Sequence, residues 1–144
     1  MSYGNKTENP NLDDSESIMV ARPEDSRLIL AVDDMPDVLN TIKTHLNDFY
    51  QIQALTSGSA AIKFLEARIP KVIILDIEMP GMSGYETAIT IRKMTHLKYV
   101  PILYLSTNAT EEAVVSAYLA GASDFIVKPI AKEILLRKVR RFLR

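Results

Sequence analysis

The chain has 144 residues, 47% of them hydrophobic and 24% charged, with a formal net charge of −1 at pH 7. That length suits one domain with a single core, and the near-neutral balance gives no general electrostatic drive toward nucleic acid or an anionic membrane. The lack of cysteine removes disulfide and thiolate chemistry, and two histidines leave little for a zinc site.

Residues 1–26 are rich in Asn, Asp, Glu, Ser and Pro and read as a disordered extension or linker. Their one apolar knot, Ile18-Met19-Val20-Ala21, reads either as a chance cluster or as a short docking segment. No basic stretch leads into an apolar core as in a signal peptide. No apolar run approaches the roughly 20 residues of a membrane span. Cytoplasmic placement is the default expectation.

Order begins near Arg27. Leu28-Ile29-Leu30-Ala31-Val32 is a continuous apolar strand ending in Asp33-Asp34, and Pro36 stands where a first helical turn tolerates it. Val38, Leu39, Ile42, Leu46 and Phe49 follow at helical spacing. Residues 50–55 alternate polar and apolar, as a half-buried or edge strand does. Ser57-Gly58 then punctuates, and Ala61, Ile62, Leu65 and Ile69 mark a second helix that Pro70 ends.

Val72-Ile73-Ile74-Leu75 is a strand buried on both faces, followed at once by Asp76 and then by the Pro80-Gly81 turn. Ser83 and Glu86 stand in capping-box spacing, so a third helix starts there and carries Ala88, Ile89, Ile91 and Met94 inward. Pro101 opens a fourth strand, Ile102-Leu103-Tyr104-Leu105, closing on Ser106-Thr107. Thr110 caps a fourth helix with Glu111 and Glu112 in its first turn, and Gly121 is a natural residue just past its end. Phe125-Ile126-Val127 is a fifth strand, ended by Lys128-Pro129. A last helix over 131–144 buries Ile134, Leu135, Val139, Phe142 and Leu143. Five alternations of strand and helix with right-handed crossovers predict an α/β domain, a doubly wound parallel sheet with helices on both faces.

In such a sheet all the strands' carboxyl ends face one edge, where ligands bind. Asp33, Asp34, Asp76, Ser106 and Lys128 therefore converge there. Singly each has a bland explanation as a cap, turn residue or surface charge. Jointly they do not, because like charges held close cost free energy unless a cation neutralises them. An all-oxygen acidic site suits Mg²⁺ or Mn²⁺. The chemistry that fits is phosphoryl transfer onto Asp76, with Lys128 and the metal neutralising the phosphoryl oxygens and Ser106 donating a hydrogen bond. No nucleotide-binding glycine motif is present.

At these residues the chain resembles the receiver domains of two-component response regulators. The resemblance covers 27–144 and rests on Asp33-Asp34, the run from Leu75 through Asp76 to Gly84, Leu105-Ser106, Ala120-Gly121-Ala122 and Lys128-Pro129. It implies a five-stranded sheet in 2-1-3-4-5 order (a flavodoxin-like, CheY-like fold) and a phosphoryl group taken onto Asp76 from a histidine on a sensor kinase or phosphotransfer protein. It also implies Mg²⁺ held by Asp34, Asp76 and the backbone carbonyl of Glu78, with Asp33 acting through water. Lys128 pairs with the acyl phosphate, and its bond to Pro129 is expected to be cis. In the family's switch the Ser106 hydroxyl moves toward the phosphoryl group and the aromatic at Phe125 turns inward. Glu78 and Asn108 hold the positions that tune phosphoryl lifetime. Phe125 stands where tyrosine or histidine is common, and Thr107 where a small alanine is. The 110–144 face is the expected surface for an output domain, a target protein or a homodimer.

The last helix is basic, with Lys132, Arg137, Lys138, Arg140, Arg141 and Arg144 against Glu133. That reads as a solvated face complementing the helix dipole. No helix-turn-helix pattern points to direct nucleic-acid binding. A degenerate receiver acting only as an interaction module is the alternative, and retention of all five polar side chains argues against it. An aspartate-nucleophile phosphatase needs an acid–x–acid arrangement that Asp33-Asp34-Met35 does not supply. The expectation is a signalling switch rather than an enzyme.

Overall fold

A computed structural model of the chain describes residues 27–143, so the expectations placed on 1–26 and on Arg144 lie outside the described residues. Five strands form one parallel sheet in the order β2-β1-β3-β4-β5. They are β1 (Leu28–Val32), β2 (Gln51–Leu55), β3 (Val72–Asp76), β4 (Ile102–Ser106) and β5 (Asp124–Val127). Between and after them lie helices α1 (Pro36–Leu46), α2 (Gly58–Leu65), α3 (Gly84–Lys93), α4 (Glu111–Leu119) and α5 (Lys132–Arg141), with a short 3₁₀ turn at Thr95–Leu97. This is the doubly wound order expected from the resemblance.

Every residue of β1, β3 and β4 is buried, which is why these strands read as unbroken aliphatic runs. β2 is an edge strand and is half-buried, with Gln51 exposed and Ile52 through Leu55 all partly covered, so the polar–apolar alternation of its sequence is not matched by an alternation in burial. Side-chain alternation divides the core in two. Leu30, Val32, Ile73, Leu75, Ile102, Tyr104 and Phe125 face α2, α3 and α4, whereas Ile29, Ala31, Val72, Ile74, Leu103, Leu105 and Ile126 face α1 and α5. Each fully buried Leu or Ile contributes about 1.5–3 kcal/mol, so the three central strands carry most of the driving force for folding.

The helices depart from the periodicity in four places. α2 stops at Leu65, so Ile69 lies beyond it and is only partly covered. α1 stops at Leu46, so Phe49 lies beyond it and is exposed, lying under the Arg140 guanidinium rather than in the core. On α3 Ile89 faces solvent and Thr87 is buried in its place; Thr87 donates its hydroxyl to the Ser83 carbonyl oxygen at 2.8 Å and so hides its polar atom in the helix itself. α5 ends at Arg141 and buries Leu135 and Val139, while Ile134 points outward and Phe142 and Leu143 are only partly covered.

Local signals set the helix ends. Ser83 accepts from the Glu86 amide and the Glu86 side chain accepts from the Ser83 amide, a complete capping box at the start of α3. Thr110 accepts from the Ala113 amide at the start of α4, and Gly121 just past its end has φ of 103°. Arg92 closes the far end of this layer: its guanidinium donates to the carbonyl oxygens of Leu97 (3.2 Å), Val100 (2.7 Å) and Gly121 (2.9 Å). Among the described residues no helix is long and apolar enough to cross a membrane.

Candidate functional site

Strand register brings the polar residues together. Val32 pairs with Leu75, so Asp33 comes up beside Asp76 at the carboxyl edge. Asp76 pairs with Leu105 and Ser106 with Val127, which puts Lys128 one residue beyond β5 on the same edge. Carboxylate oxygens of Asp33, Asp34 and Asp76 lie within 4.8 Å of one another, the first and last buried and Asp34 partly exposed.

Lys128 is the only cation among the described residues paired with this group. Its ammonium donates to Asp76 Oδ1 at 3.1 Å and lies 3.0 Å from Asp33 Oδ2. The second contact is an ion pair by distance but lacks hydrogen-bond alignment, so Asp33 Oδ2 is a buried oxygen without a hydrogen-bond partner. Its other oxygen accepts the Met35 amide at 2.9 Å. Burial would lower the pKa of Lys128, but the two flanking carboxylates outweigh it and hold the ammonium above its usual value. Burial pushes the Asp76 carboxyl up to about 6; the Lys128 hydrogen bond opposes the rise and the Asp33 charge adds to it. One lysine therefore does not neutralise the cluster. Three carboxylates at close range, a buried Asp33 oxygen whose one neighbour among the described cations is the shared Lys128 ammonium, and no sulfur or imidazole together fit a hard divalent cation held by Asp33, Asp34 and Asp76.

The loop after β3 is fixed by close packing. The Gly84 amide donates to the Ile77 carbonyl oxygen at 2.9 Å, and a Cβ at Gly84 would stand 2.2 Å from the carbonyl oxygen of Asp76. Only glycine lets the start of α3 lie against the backbone that carries Asp76. The Lys128–Pro129 peptide bond is cis.

Two expected site members are oriented otherwise. Ser106 is buried at the end of β4, but its hydroxyl donates to Glu78 Oε2 at 2.8 Å and accepts the Asn108 amide at 2.9 Å, with no hydrogen bond to Asp76. The Glu78 side chain, expected to contribute only a backbone carbonyl and a tuning position, is thus engaged with the serine. Asn108 is exposed and its side chain accepts the Thr110 amide at 3.0 Å, an ordinary turn contact that leads into α4. Phe125 already lies inward, packed with Tyr104 and Ala117. Thr107 is exposed.

A second charged cluster was missed from the sequence. Asp124, buried at the start of β5, accepts from Lys138 Nζ at 2.9 Å, the Phe125 amide at 2.8 Å and Arg141 at 3.3 Å. Burial alone would raise its pKa, but the Lys138 and amide hydrogen bonds prevail and hold it below the usual value. Part of the basic character of α5 is therefore spent on the fold rather than displayed to solvent. An acid at the very start of a buried strand was the available signal.

The response regulator receiver domain family matches residues 29–140. This chain belongs to that family. The receiver is 35% identical over 112 residues to the response regulator SaeR of Staphylococcus epidermidis, an alignment covering 76% of this chain and 47% of that one. Its fold matches the chemotaxis protein CheY4 of Vibrio cholerae with a TM-score of 0.76 and 31% identity, covering 80% of this chain and 97% of the other. It likewise matches the receiver domain of a sensor histidine kinase from Pseudomonas aeruginosa, solved with a magnesium ion coordinated in the active-site cleft (TM-score 0.76, 27% identity, 81% and 97% covered). The receiver spans about a quarter to a half of the length of the curated relatives it matches.

Proposed function

We propose that Asp76 is the phosphoacceptor of this receiver and that residues 27–144 form the receiver unit, with 1–26 an extension or linker. The observation that carries the reading is the placement of the Asp76 carboxylate: buried, 3.1 Å from Lys128 and grouped with Asp33 and Asp34 at the carboxyl edge of the sheet.

In the reaction an Asp76 oxygen attacks the phosphorus of a phosphohistidine, the P–N bond breaks as the new P–O bond forms, and the imidazole leaves and recovers its proton. Lys128 gives up its contact with the free carboxylate oxygen and follows the phosphoryl oxygens. Asp33, Asp34 and Asp76, with the carbonyl of Glu78, would hold Mg²⁺ or Mn²⁺, which when bound would supply charge neutralisation on the transferring group. The magnesium in the related Pseudomonas receiver supports Mg²⁺ as the first choice. Ser106 turns to donate to a phosphoryl oxygen, Phe125 holds the inward packing that goes with it, and Glu78 and Asn108 tune the lifetime of the acyl phosphate.

The partners are a sensor histidine kinase or a histidine phosphotransfer protein upstream. Downstream, an output domain, a target protein or a second copy reads the 110–144 face. The receiver is a cytoplasmic switch and not an enzyme acting on a separate substrate. A degenerate, phosphorylation-independent module gains no support from a site with Asp33, Asp34, Asp76, Ser106 and Lys128 all in place.

Incubation with a phosphohistidine donor and Mg²⁺ should add one phosphoryl group per chain by intact mass. The adduct should be missing in Asp76→Asn and on chelation of the metal. No adduct with several donors, or an adduct that survives the substitution, would refute the assignment.

A further inference from the structure

The Ser106 hydroxyl has one proton and that proton is already in use. It goes to Glu78 Oε2 at 2.8 Å, from a serine only 1% exposed, while the oxygen's acceptor side takes the Asn108 amide at 2.9 Å. Glu78 itself is exposed and sits two residues past Asp76, in the loop that leads to α3. Among the described residues no cation pairs with its carboxylate, so the serine is the partner that orients it.

We propose that the Glu78 carboxylate is a latch that holds the Ser106 hydroxyl away from Asp76 and so sets the threshold of the switch; the inference rests on Asp76 being the phosphoacceptor. Two acceptors compete for one proton. A phosphoryl oxygen on Asp76 captures the hydroxyl only by breaking the bond to Glu78, and the displaced carboxylate is then left beside a group of its own charge. Glu78 is a positioning residue: it acts through Ser106 and touches no reacting atom with its side chain. The arrangement favours the unswitched form until phosphorylation supplies a stronger acceptor, as a population shift requires a differential contact in the two states.

The test is a double-mutant cycle with beryllofluoride as the phosphoryl mimic, formed in the presence of Mg²⁺ and titrated calorimetrically against the full chain. Glu78→Ala should bind it about fivefold more tightly than the parent, the net size of one ordinary hydrogen bond, since solvent access to the carboxylate offsets the gain from its charge. Glu78→Gln, which keeps an acceptor but loses the charge, should fall between. With Ser106→Ala as background, Glu78→Ala should change affinity by less than about twofold. An equal gain in both backgrounds would mean simple charge repulsion and would overturn the latch. A second readout needs no ligand: the Asn108 amide proton, bonded to the Ser106 oxygen, should shift in NMR spectra of unliganded Glu78→Ala, and an unmoved resonance overturns the proposal. If the parent takes up neither beryllofluoride nor a phosphoryl group, the phosphoacceptor reading fails, and the Asn108 resonance alone decides whether Glu78 holds the serine.

Discussion

In metal-free protein, Asp76→Asn should stabilise the fold by an amount that grows with pH. Asp76 is 2% exposed at its side chain, and burial pushes its carboxyl up to about 6 from the ordinary 3.8. Between those values the native state holds a proton that the unfolded chain has released. Stability therefore falls as pH rises through this window, by about 1.4 kcal/mol per pH unit. Roughly two units give about 3 kcal/mol of destabilisation above pH 6, absent below pH 4. Asparagine escapes this cost, keeps a carbonyl oxygen for Lys128 and leaves Asp33 as the ion partner. Urea unfolding with a chelator at pH 7.5 should then show a gain of about 2–3 kcal/mol, near 10 °C in Tm for a domain of this size. The gain should shrink to nearly nothing at pH 4. A variant no more stable than the parent at pH 7.5, or a gain equal at both pH values, would refute the account of the cluster as under-neutralised.

Two more perturbations test how the site and its support are built. Gly84→Ala should cost at least about 3 kcal/mol by chemical denaturation, because its Cβ meets backbone atoms of Asp76 and Ile77 that have nowhere to go; a cost under about 1 kcal/mol would mean the β3–α3 loop is freer to adjust than its contacts indicate. Asp124→Ala should cost about 2 kcal/mol at pH 7 by removing the partner of Lys138 and Arg141, less than a fully buried pair because Arg141 is largely exposed. The Asp124 pKa is depressed in the fold, so its contribution is present above the unfolded value and is lost as pH falls through the folded one. The gap between parent and variant should accordingly narrow in strong acid.

The fold was legible because its decisive signals are local. The buried runs of β1, β3 and β4, the Ser83–Glu86 capping box, the Thr110 cap and the Gly121 terminator each lie within a few residues of chain and recur in the structure where the sequence places them. The gathering of Asp33, Asp34, Asp76 and Lys128 was legible for a topological reason, since parallel strands send all their carboxyl ends to one edge. What stayed hidden depends on contacts between distant segments. The Glu78–Ser106 bond joins residues 28 apart and exists only because β3 and β4 are neighbours. The Asp124 cluster needs α5 to cross back over β5. Ile89 and Thr87 exchange roles because a hydroxyl can be satisfied by its own helix, which makes a polar residue acceptable on the buried face.

The ties on α4 are unequal. Only Ala117 of its nine residues is fully buried. Its C-terminal end is moored to neighbouring elements, through the Arg92 bond to the Gly121 carbonyl oxygen and the Ser123 amide bond to the Ile102 carbonyl oxygen. At the other end, the bonds of Asn108, Thr110, Ala113 and Val114 stay within the segment that starts at Ser106. Such a helix is a cantilever, clamped at the Arg92 end and resting on the Ser106 loop at the other. With so little buried surface to lift, a change of hydrogen-bond partner worth about 1 kcal/mol at that loop is large enough to move its tip.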